Sequence, residues 1–329
     1  MRGMAMTRTI LLTDSDLGDR VEEVAWLKSA LDADVVVADC VTAADVAREV
    51  RECRPEAIVT QWAPIDATVV AEAAGSCRII SRLGIGIDMI DTEAASAAGI
   101  DVRNVAHYCT EEVATHAVAL ALALWRRVPD LDREVRAGHW AAAPHAPQIS
   151  RLSGATLGLV GCGRIGRLVA RAFEVWGTQV IAFDPAPAHD GYERVGLDEL
   201  AERADIISLH APLLDSTRHI IGRDFLSAVS RRPVLVNTSR GGLVDVDAAV
   251  AALDDGRLRG LGLDVFDVEP LPVDAAIRRS ASTIITPHAA WCSAEALPDL
   301  RRGAIDNVID ALSARDGSSP ATHPSEVRA

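Results

Sequence analysis

Three side chains of different chemistry, Arg240, Glu269 and His288, occupy comparable places in the sequence. Each follows a short apolar run typical of a buried strand, so all three are expected at the carboxyl ends of strands in one sheet, where open α/β sheets bind ligands. A guanidinium binds a carboxylate through two parallel hydrogen bonds, and a histidine beside a carboxylate suits general acid–base catalysis. Taken alone, the arginine could equally cap a loop, and a lone histidine at such a place would more often be a capped loop residue. Together they predict a site that binds a small carboxylate and moves a proton.

A glycine-rich segment follows the apolar run Thr156–Val160 and reads GCGRIG from Gly161 to Gly166. Glycines in such a turn let the backbone approach a pyrophosphate, which the N-terminus of the next helix stabilises. Asp184 comes 23 residues after Gly161, close to the spacing of the acid that binds the ribose, and residues 185–190 contain no arginine or lysine for a 2′-phosphate. The strand before the turn and the helical pattern after it favour a dinucleotide site over a simple glycine turn. The pattern predicts NAD rather than NADP.

Alternating apolar runs and helix-like stretches must position these residues. Strands are predicted at Thr9–Thr13, Val35–Ala38, Ala57–Thr60, Arg78–Ser81, Thr156–Val160, Gln179–Phe183, Ile206–His210, Pro233–Asn237, Gly260–Val265 and Thr283–Ile285. Helices are predicted at Asp19–Leu31, Ala43–Cys53, Asp66–Ala74, Glu111–Arg127, Arg167–Trp176, Leu197–Arg203 and Val246–Leu253, with Thr110 as the N-cap of the long one. The pattern predicts an α/β protein with two doubly wound, Rossmann-like parallel sheets.

The composition of the 329 residues argues against several other classes of protein. With 33 basic and 47 acidic side chains the net charge is −14, and without a basic block no nucleic-acid or anionic-membrane partner is expected. The longest apolar stretch, Ala117 to Trp125, is far shorter than the ~20 residues of a membrane span. The six cysteines form no CxxC pair and no zinc-spaced cluster with histidine, which predicts cytoplasmic thiols and no metal site.

In four motifs the chain resembles the D-isomer-specific 2-hydroxyacid dehydrogenases, a family that includes D-lactate, glyoxylate/hydroxypyruvate and D-3-phosphoglycerate dehydrogenases. The motifs are GCGRIG, NTSRGGLVD, GLGLDVFDVEP and TPHAAW, within a resemblance that covers about residues 55 to 313. The resemblance implies that Arg240, Glu269 and His288 are the catalytic residues.

The resemblance also implies a domain organisation. The expected domains are a discontinuous, flavodoxin-like substrate domain (1–105 and 292–313), a central NAD-binding Rossmann domain (106–291) and a flexible tail (314–329). A homodimer through the NAD-binding domain is implied as well.

The family pattern further implies which residues would bind the cofactor, NAD. They are Ile85, Thr110, Gly161, Gly163, Arg164, Ile165, Gly166, Asp184, Pro212, Thr217, Thr238, Ser239, Arg240, Asp264, His288 and Ala290. Asp264 would lie near the nicotinamide amide, and Pro212 and Thr217 near the nicotinamide ribose and the adenosine.

For the substrate, the loop from Arg82 to Asp88 matches the family's substrate loop, in which Ile85 and Gly86 would offer backbone N–H groups to the carboxylate. Within the family the chain looks most like the C-terminal binding proteins, through its PHAAW segment and the helix start TEEVA. There the counterparts of Arg82 and Trp291 line the substrate pocket, with Arg240 holding the substrate. Trp291 is as compatible with packing at a domain interface as with a substrate role.

Two hypotheses of different class follow. The first is an NAD-dependent enzyme that interconverts a D-2-hydroxy acid and its 2-keto acid, in which Arg240 holds the carboxylate, His288 transfers a proton and Glu269 keeps His288 charged. The alternative is an NAD(H)-sensing interaction protein like the C-terminal binding proteins, with weak or no dehydrogenase activity. The complete Arg–Glu–His set favours the enzyme. Formate-oxidising relatives carry glutamine in place of Glu269, and phosphite-oxidising relatives carry lysine in place of Ile85, so both are less favoured.

Overall fold

The computed structural model describes residues 8–185 and 191–314. The tail predicted for 314–329 therefore lies outside the described residues except for Ala314, and so does most of the stretch that was predicted to lack a 2′-phosphate partner. The described residues form two compact units, one up to Tyr108 together with those from Ser293 onward, the other from Cys109 to Cys292. Each unit is built on a parallel sheet with helices, which confirms the predicted fold class.

The elements are numbered in chain order. The strands are β1 Arg8–Leu12, β2 Ala33–Val37, β3 Ala57–Thr60, β4 Ile79–Arg82, β5 Asp101–Arg103, β6 Thr156–Val160, β7 Gln179–Phe183, β8 Glu193–Arg194, β9 Ile206–Leu209, β10 Val234–Asn237, β11 Gly260–Leu263 and β12 Thr283–Ile285. The α-helices are α1 Val21–Leu31, α2 Ala43–Cys53, α3 Ala67–Ala73, α4 Thr92–Ala97, α5 Thr110–Trp125, α6 Val128–Arg136, α7 Arg164–Glu174, α8 Leu197–Arg203, α9 Arg223–Ala228, α10 Val246–Asp254 and α11 Ala296–Ser313. Short 3-10 helices lie at Ala143–Gln148, Leu152–Gly154, Gly241–Leu243 and Ala276–Arg279.

The first unit has a five-stranded parallel sheet in the order β2-β1-β3-β4-β5. This is a common doubly wound order, and its direction of winding reverses between β1 and β3. β3 and β4 are buried along their whole length, as expected for a parallel sheet that is covered on both faces.

The second unit has a seven-stranded parallel sheet in the order β12-β11-β10-β9-β6-β7-β8. Read from β8, this is the dinucleotide-binding strand order with one further strand at the β12 edge. The winding reverses between β6 and β9, so the crevice beyond the carboxyl ends of these two strands is the expected ligand site.

Helix α5 packs unusually close to β11 because the strand carries glycines where the helix presents leucines. A Cβ atom built on Gly260 would lie 3.1 Å from the side chain of Leu124, and one on Gly262 would lie 3.2 Å from Leu120. The GLGL sequence of β11 therefore lets α5 lie directly on the strand that ends at the predicted site.

The start of α5 differs from its prediction. Thr110 is the first helical residue rather than the N-cap, and the N-cap position, Cys109, makes no side-chain capping hydrogen bond. Glu111 and Glu112 lie in the first turn as predicted, where their charges interact favourably with the helix dipole and reduce the need for a side-chain cap.

No helix among the described residues is long and apolar enough to cross a membrane.

Candidate active site

His288 and Glu269 form a direct pair at the carboxyl ends of β12 and β11. His288 Nδ1 lies 2.7 Å from Glu269 Oε2, and Glu269 Oε1 accepts the backbone N–H of Phe266 at 2.8 Å. Since a carboxylate only accepts, Nδ1 carries the proton of this bond. The histidine and the glutamate are partly exposed, at 25% and 30% of their side-chain surfaces. The pair therefore fixes the ring orientation of His288 and leaves Nε2 as the atom suited to exchange a proton with a ligand.

The backbone turn that carries His288 is held by Asp264. His288 adopts a left-handed conformation with φ of 53°, which costs a non-glycine residue on the order of 1–3 kcal/mol unless its surroundings hold it. Its N–H donates to the Asp264 carbonyl at 2.8 Å. The N–H groups of Ala289 and Ala290 donate to the Asp264 carboxylate at 2.8 and 2.9 Å. Asp264, predicted as a cofactor residue, thus positions the turn, and its contact with the cofactor stays a prediction.

A histidine that the sequence did not single out completes this arrangement. The Thr286 hydroxyl donates to Asp264 Oδ1 at 2.6 Å, and His116 Nε2 on α5 lies 3.0 Å from the same hydroxyl. Because the hydroxyl hydrogen is engaged with Asp264, His116 Nε2 is the donor in this contact. The Asp264 side chain is only 1% exposed, so Thr286 and the two backbone N–H groups replace water around a buried carboxylate.

Arg240 lies in the turn after β10, next to the β11 exit. The Asn237 side chain braces this turn, donating from Nδ2 to the Arg240 carbonyl at 2.8 Å and accepting the Ser239 N–H at 3.0 Å. A Cβ atom on Gly241 would lie 1.9 Å from the Phe266 carbonyl carbon, so only glycine allows the two backbones to meet. The turn with Arg240 therefore packs against the residue that anchors Glu269.

The glycine-rich segment forms a tight turn between β6 and α7. Gly161 has φ of +94°, and a Cβ there would lie 2.7 Å from the backbone of His210. Gly163 is the N-cap of α7, with no atom within 4 Å of the place of a Cβ. The Asp184 carboxylate accepts the Cys162 N–H at 2.6 Å. An open backbone at a helix N-terminus beside a carboxylate fits the pyrophosphate and ribose of a dinucleotide.

Several other predicted cofactor residues lie at strand exits or helix starts of the second unit. The Thr238 hydroxyl after β10 is buried and has no hydrogen-bond partner among the described residues. Ser239 donates to the Leu209 carbonyl at 2.7 Å. Thr217 donates to the Pro212 carbonyl at 2.8 Å, which folds the loop after β9 onto itself. Arg164 and Ile165 begin α7, and Thr110 begins α5.

His210, at the end of β9, was not assigned a role from the sequence. Burial lowers the pKa of its imidazole to about 4, so the ring is neutral near pH 7. Its Nε2 lies 2.9 Å from the Ser208 hydroxyl, and its backbone touches the turn at Gly161. A neutral ring beside the glycine turn adds no charge to the predicted dinucleotide site.

In the first unit, the predicted substrate loop is braced from both ends. The guanidinium of Arg82, at the end of β4, lies 5.4 Å from the ring of Trp62. It also fills the space beside Gly84, whose φ is +142° and whose Cβ would overlap it. The Asn104 side chain donates to the Ile85 carbonyl. These contacts fix the loop backbone, while the substrate roles of Arg82, Ile85 and Gly86, and that of Trp291 in the second unit, stay predictions. Trp62 carried no sequence signal.

Comparison with known proteins identifies the family. Residues 118–290 match the family model described as "D-isomer specific 2-hydroxyacid dehydrogenase, NAD binding domain". The glyoxylate reductase of Korarchaeum cryptofilum is 40% identical over 253 residues, which cover 75% of this chain and 76% of that protein. The chain belongs to the D-isomer-specific 2-hydroxyacid dehydrogenase family.

Two further members of known name are similar to this dehydrogenase over most of its length. The D-3-phosphoglycerate dehydrogenase of Mycobacterium bovis is 37% identical over 289 residues, covering 86% of this chain but only 52% of that longer protein. The structure of D-lactate dehydrogenase from Aquifex aeolicus, complexed with NAD and lactic acid, has a TM-score of 0.81 and 27% identity, covering 93% of this chain and 96% of that one.

Family membership confirms three predictions. The chain is an NAD-dependent D-2-hydroxyacid dehydrogenase, its cofactor is NAD, and its substrate is a small hydroxy or keto acid. The closer likeness to the C-terminal binding proteins stays a prediction.

Proposed function

We propose that this dehydrogenase interconverts a D-2-hydroxy acid and its 2-keto acid with His288 as general acid–base, Glu269 as its partner and Arg240 as the residue that binds the substrate carboxylate. The observation that carries the proposal is the 2.7 Å contact between His288 Nδ1 and Glu269. A histidine oriented by a carboxylate, with an arginine in the turn after the neighbouring strand β10, supplies the side chains that reversible reduction of a keto acid requires of the protein.

When bound, NADH supplies the hydride that reaches the keto carbon, and NAD⁺ accepts it in the reverse direction. During reduction, protonated His288 gives the proton on Nε2 to the carbonyl oxygen. Glu269 stabilises the imidazolium beforehand and keeps the proton of Nδ1 in its hydrogen bond throughout. Arg240 holds the carboxylate and polarises the adjacent carbonyl. In the oxidation direction, Nε2 of neutral His288 takes up the hydroxyl proton.

For NAD, we assign the pyrophosphate to the turn Gly161–Gly166 and the adenosine ribose hydroxyls to Asp184. The open space at Gly163 and the carboxylate of Asp184 at the Cys162 N–H support this assignment. The remaining cofactor residues keep the roles that the family pattern implies.

For the substrate, we assign the carboxylate also to the backbone N–H groups of Ile85 and Gly86. The contact between Asn104 and the Ile85 carbonyl supports a rigid loop. The unit that contains this loop would be the substrate domain (1–105 and 292–313), and residues 106–291 would be the NAD-binding domain. An apolar wall from Trp291 would favour a keto acid with a carbon side chain over glyoxylate.

We further propose a cytoplasmic homodimer. In the NAD-binding unit, α6 exposes the apolar side chains Val128 and Val135, and Trp140, which follows the helix, is 88% exposed. An apolar surface of this kind is typical of a face that another chain covers. All six cysteines are thiols rather than disulfides, as is usual in a reducing compartment.

A panel of 2-keto acids tests the enzymatic proposal. Pyruvate, hydroxypyruvate, 2-ketobutyrate, phenylpyruvate and glyoxylate are each offered with NADH or NADPH, and every product except the achiral glycolate from glyoxylate is resolved on a chiral column. We expect a D-hydroxy acid, with NADH at least tenfold more effective than NADPH because Asp184 would repel a 2′-phosphate. An L-product, or no turnover despite bound NADH, would contradict the proposed activity, and a preference for NADPH would contradict the role of Asp184.

A further inference from the structure

A pocket lined by arginines lies in the second unit, at the amino ends of the strands. Its volume is about 360 Å³, and its lining residues are Pro147, Gln148, Arg231, Arg232 and Arg259. The first two arginines come just before β10 and the third just before β11. The proposed catalytic residues follow the opposite ends of these strands, so the pocket is separate from the NAD and substrate sites.

The arginines of this pocket carry more charge than their neighbours neutralise. Arg231 Nη1 lies 3.5 Å from Asp205 Oδ2, and that carboxylate oxygen also accepts the Thr156 N–H at 2.9 Å. Burial lowers the pKa of the Arg259 guanidinium, the charge of Arg232 lowers it further, and Asp205 opposes the shift. Asp205 is thus the carboxylate that acts on both Arg231 and Arg259, while three guanidinium groups line the pocket, so positive charge is concentrated there on a chain whose net charge is −14.

Neutral groups fix two of these side chains in place. The Arg259 guanidinium lies 4.3 Å above the ring of Trp125, and its Nη1 is buried without a hydrogen-bond partner among the described residues. Arg232 Nε donates to the Gly256 carbonyl at 2.7 Å. The aromatic ring and the carbonyl hold these arginines without neutralising their charge. The guanidinium groups are therefore partly removed from water without an ionic partner, which is unfavourable and which a bound anion would offset.

We propose that this pocket binds a small organic anion with at least two negative charges, carried by phosphate or carboxylate groups. Guanidinium groups bind both groups through paired hydrogen bonds. The volume lies at the lower end of small-molecule sites, which suits a compact polyanion rather than a nucleotide. Arg231 is about half exposed, so an anion can reach the pocket from solvent.

Calorimetric titration of the full chain at constant ionic strength tests the proposal. Saturating NADH is present throughout, so that the probes cannot occupy the dinucleotide site. The probes are citrate for carboxylates, pyrophosphate for phosphates and acetate as a monoanion. We expect citrate or pyrophosphate to bind at least tenfold more tightly than acetate, and the stronger of the two shows which group the pocket prefers.

The double variant R231Q/R232Q should weaken that binding at least tenfold. The matched control is R278Q/R279Q, which removes the same charge from another Arg-Arg pair of the same unit. Thermal unfolding without anion verifies that both variants are folded. The proposal is overturned if polyanions bind no better than acetate, or if both double variants bind them equally. Neither result depends on turnover, so the outcome is independent of the proposed enzymatic activity.

Discussion

The imidazole of His288 is constrained from two directions. Glu269 holds Nδ1 at 2.7 Å, and Asp264 holds the backbone turn through the N–H groups of residues 288–290. A general acid must be held within a few tenths of an ångström of its working position to be effective. Both contacts therefore fix the position of Nε2. The left-handed backbone conformation of His288 is unfavourable by itself, and these contacts stabilise it.

His210 predicts a pH dependence of stability. Burial lowers its pKa to about 4 in the folded protein, against 6.5 as the ordinary value. Between these pH values the unfolded chain binds a proton that the folded protein does not, so stability is lost as the pH falls. From pH 7.5 to pH 5 this contribution to the free energy of unfolding falls by about 2 kcal/mol. Urea unfolding of wild type and His210→Gln measures the difference, because the variant lacks the titrating ring.

The matched control for this measurement is His139→Gln, since His139 is exposed. The control should lose stability with falling pH as the wild type does, and His210→Gln should lose about 2 kcal/mol less. Equal pH dependence in wild type and His210→Gln would show that the ring is not kept neutral by burial.

Glycines allow several elements of the NAD-binding unit to pack closely against one another. Gly260 and Gly262 let α5 lie on β11, which brings His116 to Thr286. Gly241 lets the β10 exit touch the β11 exit. The acid–base pair, the arginine turn and the bracing helix are therefore joined through backbone contacts that a side chain at these positions would block.

A substitution at Gly163 can test cofactor binding separately from the stability of the fold. Its φ is −75° and a Cβ there would meet no atom within 4 Å, so Gly163→Ala should leave stability almost unchanged. If the backbone at this position approaches the pyrophosphate, the added methyl group should weaken NADH binding at least tenfold. NADH fluorescence titration measures the affinity, and thermal unfolding measures the stability.

Gly196→Ala is the control, because Gly196 also caps a helix with φ of −75° and open space around it. It should change neither stability nor NADH affinity. Unchanged NADH affinity in Gly163→Ala would remove the pyrophosphate from this turn.

Sequence patterns placed the buried strands well and the polar ones poorly. β3, β6 and β7 have their predicted bounds, because continuous apolar runs mark buried parallel strands. β5 and β8 were missed, since they have only three and two residues and are polar, with exposed Asp101 and Glu193. Edge strands of this kind lack the apolar run on which a sequence prediction depends.

The residues of the candidate site also differ in how far the sequence could predict their positions. The carboxyl ends of parallel strands share one edge, so the sequence could place Arg240, Glu269 and His288 on neighbouring strand ends. It could not find the contact between His116 and Thr286, which are 170 residues apart. That contact depends on the rotation of α5 over β11, and a lone histidine in a helical pattern carries no information about it.

At the scale of the whole molecule, the two units carry different groups of predicted functional residues. The seven-stranded unit carries the glycine turn, the acid–base pair and the arginine turn, and the five-stranded unit carries the predicted substrate loop. The same seven-stranded unit exposes α6 and Trp140, so the proposed homodimer would form through the NAD-binding unit.

The proposed dimer predicts that Trp140→Asp lowers the mass in solution. The mass of one chain is 34.9 kDa. Light scattering after gel filtration should give twice that mass for the wild type and a shift toward the mass of one chain for the variant. Trp176→Asp is the control, because Trp176 is also exposed and lies outside α6 and the segment that follows it. A monomeric wild type, or an equal effect of both variants, would contradict this interface.

The most direct test of the whole account is the turnover of His288→Gln with NADH and the best 2-keto acid. The control is His219→Gln, because His219 also faces a carboxylate, that of Asp267 at 3.2 Å, without a proposed catalytic role. We expect His288→Gln to lose about 10²–10⁴-fold in kcat, the usual contribution of general acid–base catalysis, while His219→Gln keeps the wild-type rate. NADH fluorescence verifies that the variants still bind the cofactor. A wild-type kcat in His288→Gln, on every 2-keto acid that the parent enzyme reduces, would contradict the account.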